Sequence, residues 1–91
     1  MICVKSETIT FPGGMQKEYR LTESRFISED GESGKVFGIE IICQNKIYSV
    51  EDIDCEEEFV FELMRKMEES GALNILECAE DALEEKYSKS Y

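Results

Sequence analysis

The spacing of apolar side chains changes rhythm near residue 50, and that change constrains the fold more than any other feature. Before it the period is close to two. Ile2 and Val4, then Ile9 and Phe11, alternate with Lys5, Glu7 and Thr10. Tyr19 and Leu21 alternate with Glu18, Arg20 and Thr22, with Phe26 out of phase. Phe37, Ile39, Ile41 and Cys43 form the clearest alternating run, and Ile47, Tyr48 and Val50 a shorter fourth. Alternation rich in β-branched and aromatic residues is the pattern of half-buried strands.

Turn chemistry separates these runs. Pro12-Gly13-Gly14 breaks the first from the second, and the polar stretch Ser28–Gly34 reads as a hairpin loop. Gln44-Asn45 reads as a tight turn, with Asn45 able to accept a positive φ. Phase slips at Ser6–Thr8 and Glu23–Phe26 are expected to mark bulges or bends. The first fifty residues are therefore read as a four-stranded antiparallel meander.

From Asp54 the period lengthens to three and four. Asp54 is expected to cap a helix with Glu57 as its reciprocal partner, and Glu56, Glu57 and Glu58 suit the positive end of the helix dipole. Phe59, Val60, Leu63, Met64 and Met67 then mark one apolar face, and Gly71 a left-handed stop. Asn74 with Glu77 repeats the capping pattern, opening a second helix whose apolar face is Ile75, Leu76, Ala79, Ala82 and Leu83, with Tyr87 extending it. The expected architecture is α+β: a four-stranded antiparallel sheet followed by two C-terminal helices packed on one face. At 91 residues this is a single domain 1–91, with a β-sheet half 1–50, an acidic helical half 51–87 and a frayed tail 88–91.

Charge divides the chain at the same place. Residues 1–50 carry seven acids and six bases, whereas 51–85 carry fourteen acids with only Arg65 and Lys66, and the whole chain has a formal charge of −11. Such an excess excludes ordinary electrostatic binding to nucleic acid or an anionic membrane. No apolar run reaches the length of a membrane span, and no export or lipidation signal is visible, so a cytoplasmic location is expected. The cysteines Cys3, Cys43, Cys55 and Cys78 form no Cys-x-x-Cys knuckle and are expected to be reduced, small core residues.

Chemical signatures are sparse. Without histidine the chain lacks the commonest general base and metal ligand, and it contains neither a Gly-x-Ser-x-Gly elbow nor a Ser-x-x-Lys pair. The glycines of Pro12-Gly13-Gly14 and of Gly31 and Gly34 match no phosphate-binding fingerprint. Cys55 follows the expected cap, but three glutamates crowd it and disfavour a thiolate. The run Glu51–Glu58 places Asp52, Asp54 and Glu56 at alternate positions but lacks the central glycine of a calcium loop. No catalytic, cofactor-binding or metal-ligating residue is assigned, and an enzyme is not expected.

The strand Val36-Phe37-Gly38-Ile39-Glu40-Ile41, the segment Tyr48–Ile53, the Phe59–Met67 helix and the terminal helix ending near Ala82-Leu83 together resemble a family of short acidic uncharacterised bacterial proteins. That family is a domain of unknown function found mostly in Firmicutes. The likeness spans about Tyr19 to Leu83 and implies a cytoplasmic bacterial origin, but no site residues.

Function is expected to be binding. An open sheet has two edges that can accept a partner strand, and of the chain's surplus aromatics Tyr19, Phe26, Tyr48 and Phe61 the last is the candidate anchor for a protein partner or a second copy. Phe61 falls off the main helical stripe and either anchors a partner or widens the buried face. The alternative is a nucleic-acid-mimicking regulator of a basic protein, built on the acidic helices and including Glu80, Asp81 and Glu84.

Overall fold

The computed structural model describes residues 2–88. Four strands, β1 (Ile2–Thr10), β2 (Gln16–Ile27), β3 (Ser33–Cys43) and β4 (Lys46–Asp54), are followed by helices α1 (Glu57–Ser70) and α2 (Ile75–Ser88). The strands form one antiparallel sheet in the order β1-β2-β3-β4, so β1 and β4 are its edges. The expected α+β meander with two C-terminal helices is the observed fold, and both helices contact the sheet.

Alternation decides which face they cover. Tyr19, Leu21, Phe37, Ile39 and Ile41 project to one side and are buried with Ile53 against Val60, Leu63, Met64 and Met67 of α1 and Ile75 and Ala79 of α2. The opposite face carries Glu18 and Arg20 on β2 and Glu40 on β3, with Arg20 bridging the two acids. Phe26 belongs to this uncovered face. Its ring lies over Gly34, its cross-strand partner, and it is 49% exposed.

Two β2 side chains complete the end of α1. Gly71 stops the helix with φ 72°, and its N–H donates to the Met67 carbonyl at 2.8 Å. The last turn of α1 has no basic residue of its own. Lys17 supplies the cation instead, donating from Nζ to the Gly71 carbonyl at 2.7 Å, and the Tyr19 hydroxyl donates to the Ala72 carbonyl at 3.2 Å. Burial, reinforced by the charge of Glu68, pushes the Tyr19 hydroxyl up to about 12, so it remains a donor.

The structure corrects several expectations. The strand register between β2 and β3 is unbroken through Glu23–Phe26, and no shift falls at Ser6–Thr8. The irregularities lie instead between Cys3 and Lys5, and opposite Gly38. At the latter, Phe37 pairs with Asp54 and Ile39 with Val50, so three β4 residues face one on β3. β4 therefore runs to Asp54, past the expected boundary at residue 50. Gln44, not Asn45, takes the positive φ, 58°, in the two-residue β3–β4 turn.

Asp54 does not cap α1. The N-cap is Glu56, with no side-chain cap bond, because Asp54 ends β4 and its Oδ1 accepts the Glu56 N–H at 2.9 Å. Of the four cysteines, all free, only Cys43 is buried; Cys3 and Cys55 are exposed and Cys78 is half-buried. α2 runs to Ser88, and residues 89–91 of the expected tail lie outside the described residues.

Candidate functional site

The β3–β4 hairpin sets the geometry of the outer strand. Cys43 and Lys46 flank a two-residue turn and so form a hydrogen-bonded pair. Alternation along the ladder makes Ile41–Tyr48 and Ile39–Val50 hydrogen-bonded pairs as well. Ile47 and Ser49 then direct their backbone N–H and C=O groups away from β3, toward the open edge. The side chains of Tyr48 and Val50 point to the helix-covered side, and those of Ile47 and Ser49 to the uncovered one.

Beside this edge lies a groove of about 440 Å³, walled by Tyr48 and Val50 on β4 and by Leu73, Ile75 and Leu76 at the entry to α2. The local chain explains the wall. After Gly71 the backbone turns tightly, with the Ile75 N–H donating to the Leu73 carbonyl at 3.0 Å. Ile75 is driven into the core, which leaves Leu73 and Leu76 on the rim. Leu76, expected in the buried face of α2, is 60% exposed, and Ile47 is 66% exposed. A larger hollow of about 670 Å³ lies on the uncovered face, but Thr8, Gln16, Glu18 and Gln44 give it a polar wall.

The far ends of β4 and α2 are tied together. Lys86 Nζ donates to Asp54 Oδ2 and to Glu56 Oε2, each at 3.1 Å, and sits 4.5 Å from the Phe59 ring centre. The Tyr87 hydroxyl donates to the same Asp54 oxygen at 3.2 Å. Burial works against the Asp54 charge, but the Glu56 N–H and the Lys86 ammonium together hold its carboxyl below the usual range. Two of the three alternating acids of the Glu51–Glu58 run thus converge on an ammonium. Tyr87 serves as a donor here, not as an extension of the apolar face. With Ile75 fixed at one end and Lys86 at the other, α2 is held along β4 and the groove keeps its shape.

The groove is acidic. Glu77 and Glu80 line it, and Glu51 and Asp52 are exposed where β4 bulges. Glu77 accepts from the Asn74 side-chain amide at 2.9 Å, so the second expected capping pair meets side chain to side chain. Among the described residues the ion pairs are Arg20 with Glu18 and Glu40, Lys35 with Glu23, and Lys86 with Asp54 and Glu56. None of the four carboxylates around the groove pairs with a cation among the described residues.

A second cluster joins β1 to α1. Glu7 and Glu68 each bury an oxygen, Oε1, that meets no donor among the described residues. Two carboxylates so placed are reconciled by one proton. Burial, with Glu7 next, raises the Glu68 carboxyl to about 7, and the protonated Glu68 hydrogen-bonds to Glu7.

The four surplus aromatics are not brought together. Tyr19 is core, and Tyr48 lines the groove. Phe26 lies on the opposite face, and Phe61 packs half-buried against the core with the Lys5 ammonium 4.2 Å from its ring centre. Phe61 therefore widens the buried face. Leu73, Leu76 and Val50 are the groove residues that sequence reasoning did not single out as a site. Their signal is an apolar pair, Leu73 and Leu76, bracketing a helix cap that needs only Ile75 for anchorage.

No protein-family model matches this chain, and no curated protein or solved structure matches it either. The likeness to short acidic bacterial proteins thus rests on hydrophobic pattern alone. Among the described residues no helix is long and apolar enough to cross a membrane.

Proposed function

We propose that the chain is a small protein-interaction module that takes up an extended segment of a partner as a fifth strand beside β4. One observation carries this reading: the outward backbone groups of Ile47 and Ser49 and the apolar groove under Tyr48 and Leu76 share one edge. Main-chain hydrogen bonds would hold the segment, and alternate side chains would enter the groove. In this reading the chain acts by binding alone. Pairing with a second copy along the same edge is disfavoured, because both copies bring Glu51, Asp52, Glu77 and Glu80 to the contact. The exposed acids Glu80, Asp81 and Glu84 of α2 suit mimicry of nucleic-acid charge, but that reading leaves the groove without a use.

The test is an affinity pull-down from the native host, comparing the wild-type chain with Leu76→Glu and Ser49→Pro. Both substitutions fall at exposed positions, and proline at Ser49 removes only an outward N–H. Proteins captured by the wild type are expected to fall by at least about fivefold with each variant, since one places a charge in an apolar groove and the other blocks a strand bond. Equal capture by all three chains overturns the reading.

A further inference from the structure

We infer that the segment taken up beside β4 is basic, presenting apolar side chains and lysine or arginine together on its groove-facing side, at positions two apart; this rests on the interaction reading above. The electrostatics around the edge are one-sided. Glu77 and Glu80 stand on the helix side of the groove and Glu51 and Asp52 at its far end, all four without a cation partner among the described residues. The nearby cations do not offset them. Lys86 is committed to Asp54 and Glu56, and Lys46 lies at the hairpin end of β4, beyond the groove lining.

A strand added to β4 must present alternate side chains to the two sheet faces. The groove side of the sheet offers Tyr48, Val50 and Leu73 as an apolar floor, which selects an aliphatic or aromatic side chain. The rim above that floor is carboxylate, so a long cationic side chain can bury its methylenes against Leu76 while its charge reaches Glu77 or Glu80. A neutral segment would leave these acids partly desolvated without compensation, and an acidic one would be repelled. The combination favours one class of occupant, an extended cationic and apolar peptide, over an acidic partner or a second copy of this net-negative chain.

Selection from a phage-displayed library of short random peptides, using the intact chain as bait, tests the inference. Selected peptides are expected to carry apolar residues and Lys or Arg at positions two apart, on one face of a strand, and a synthetic one is expected to bind at least about tenfold more weakly to a Glu77→Gln/Glu80→Gln double variant at low salt. Both substitutions are on the exposed helix surface, so circular dichroism of the variant should match the wild type. If groove-dependent peptides emerge that are neutral or acidic, and the double variant binds them undiminished, the inference is overturned while the interaction reading stands. If no peptide is selected, or if binding ignores both Leu76→Glu and Ser49→Pro, the interaction reading fails and the inference with it.

Discussion

Replacing Gly38 with alanine is expected to destabilise the fold by about 3 kcal/mol or more, which is a large part of the total of roughly 5–14 kcal/mol available to a chain of this size. The cause is the bulge in β4. A methyl group at Gly38 would lie 2.2 Å from the Val50 carbonyl oxygen and 2.6 Å from Glu51 Cα. Both are backbone atoms, so nothing short of moving the strand relieves the overlap. The bulge lets β4 return to the ladder at Asp54, places Ile53 in the core and brings Asp54 to Lys86. Gly34→Ala is the informative contrast. Its methyl would meet ring atoms of Phe26, the nearest at 2.5 Å, but that half-exposed side chain can swing into solvent. A loss of about 1 kcal/mol or less is expected there. Urea unfolding followed by circular dichroism measures both, and equal losses would show that the β4 backbone does not cross Gly38 as described.

The second large effect is a dependence of stability on pH. Glu68 is 7% exposed, and its carboxyl lies at about 7 in the folded chain against an ordinary value of 4.5. The folded state therefore binds more protons than the unfolded state between those two values. Its contribution is fully present below about 4.5 and is lost as pH rises through about 7, a change of roughly 2–3 kcal/mol. Glu7 faces it from β1, Arg65 and Glu69 flank it on α1, and Tyr19 approaches from β2. Asp54 acts in the opposite sense, since its lowered carboxyl contributes above the unfolded value and is lost in acid. Stability is thus expected to be greatest on the acid side of neutrality and to decline toward about pH 8. Glu68→Gln keeps a donor for Glu7 while removing the titration. It should flatten the decline and make the variant more stable than the wild type at alkaline pH. Parallel urea midpoints across pH for the two chains would contradict the shared-proton arrangement.

Much of the architecture is legible in the residues. The alternation of Phe37, Ile39, Ile41 and Cys43 and the stripe Val60, Leu63, Met64 and Met67 specify a strand and a helix locally, and short turns leave a meander as the simplest connection. The bulge is less legible, because Glu51-Asp52-Ile53-Asp54 carries the acids expected ahead of a helix. What makes it a strand end is Gly38, thirteen or more residues away in sequence, together with Lys86 and Tyr87, which hold Asp54 from α2. The Glu7–Glu68 pair left a fainter trace. Glu68 falls four residues after Met64 on the buried stripe, and Glu7 shares the face of Ile9, but only the tertiary fold brings β1 to α1. The groove is likewise tertiary: Tyr48 and Leu76 look like ordinary core residues until α2 is laid beside β4.

Amide hydrogen exchange along β4, resolved residue by residue by NMR in the free chain and in the chain saturated with a selected peptide, bears most directly on the open edge. In the free chain Ile47 and Ser49 should exchange rapidly while Tyr48 and Val50 are protected, and binding should slow Ile47 and Ser49 by at least about tenfold. Protection of Ile47 and Ser49 in the free chain, or exchange there that the bound peptide leaves unchanged, would contradict strand addition at β4.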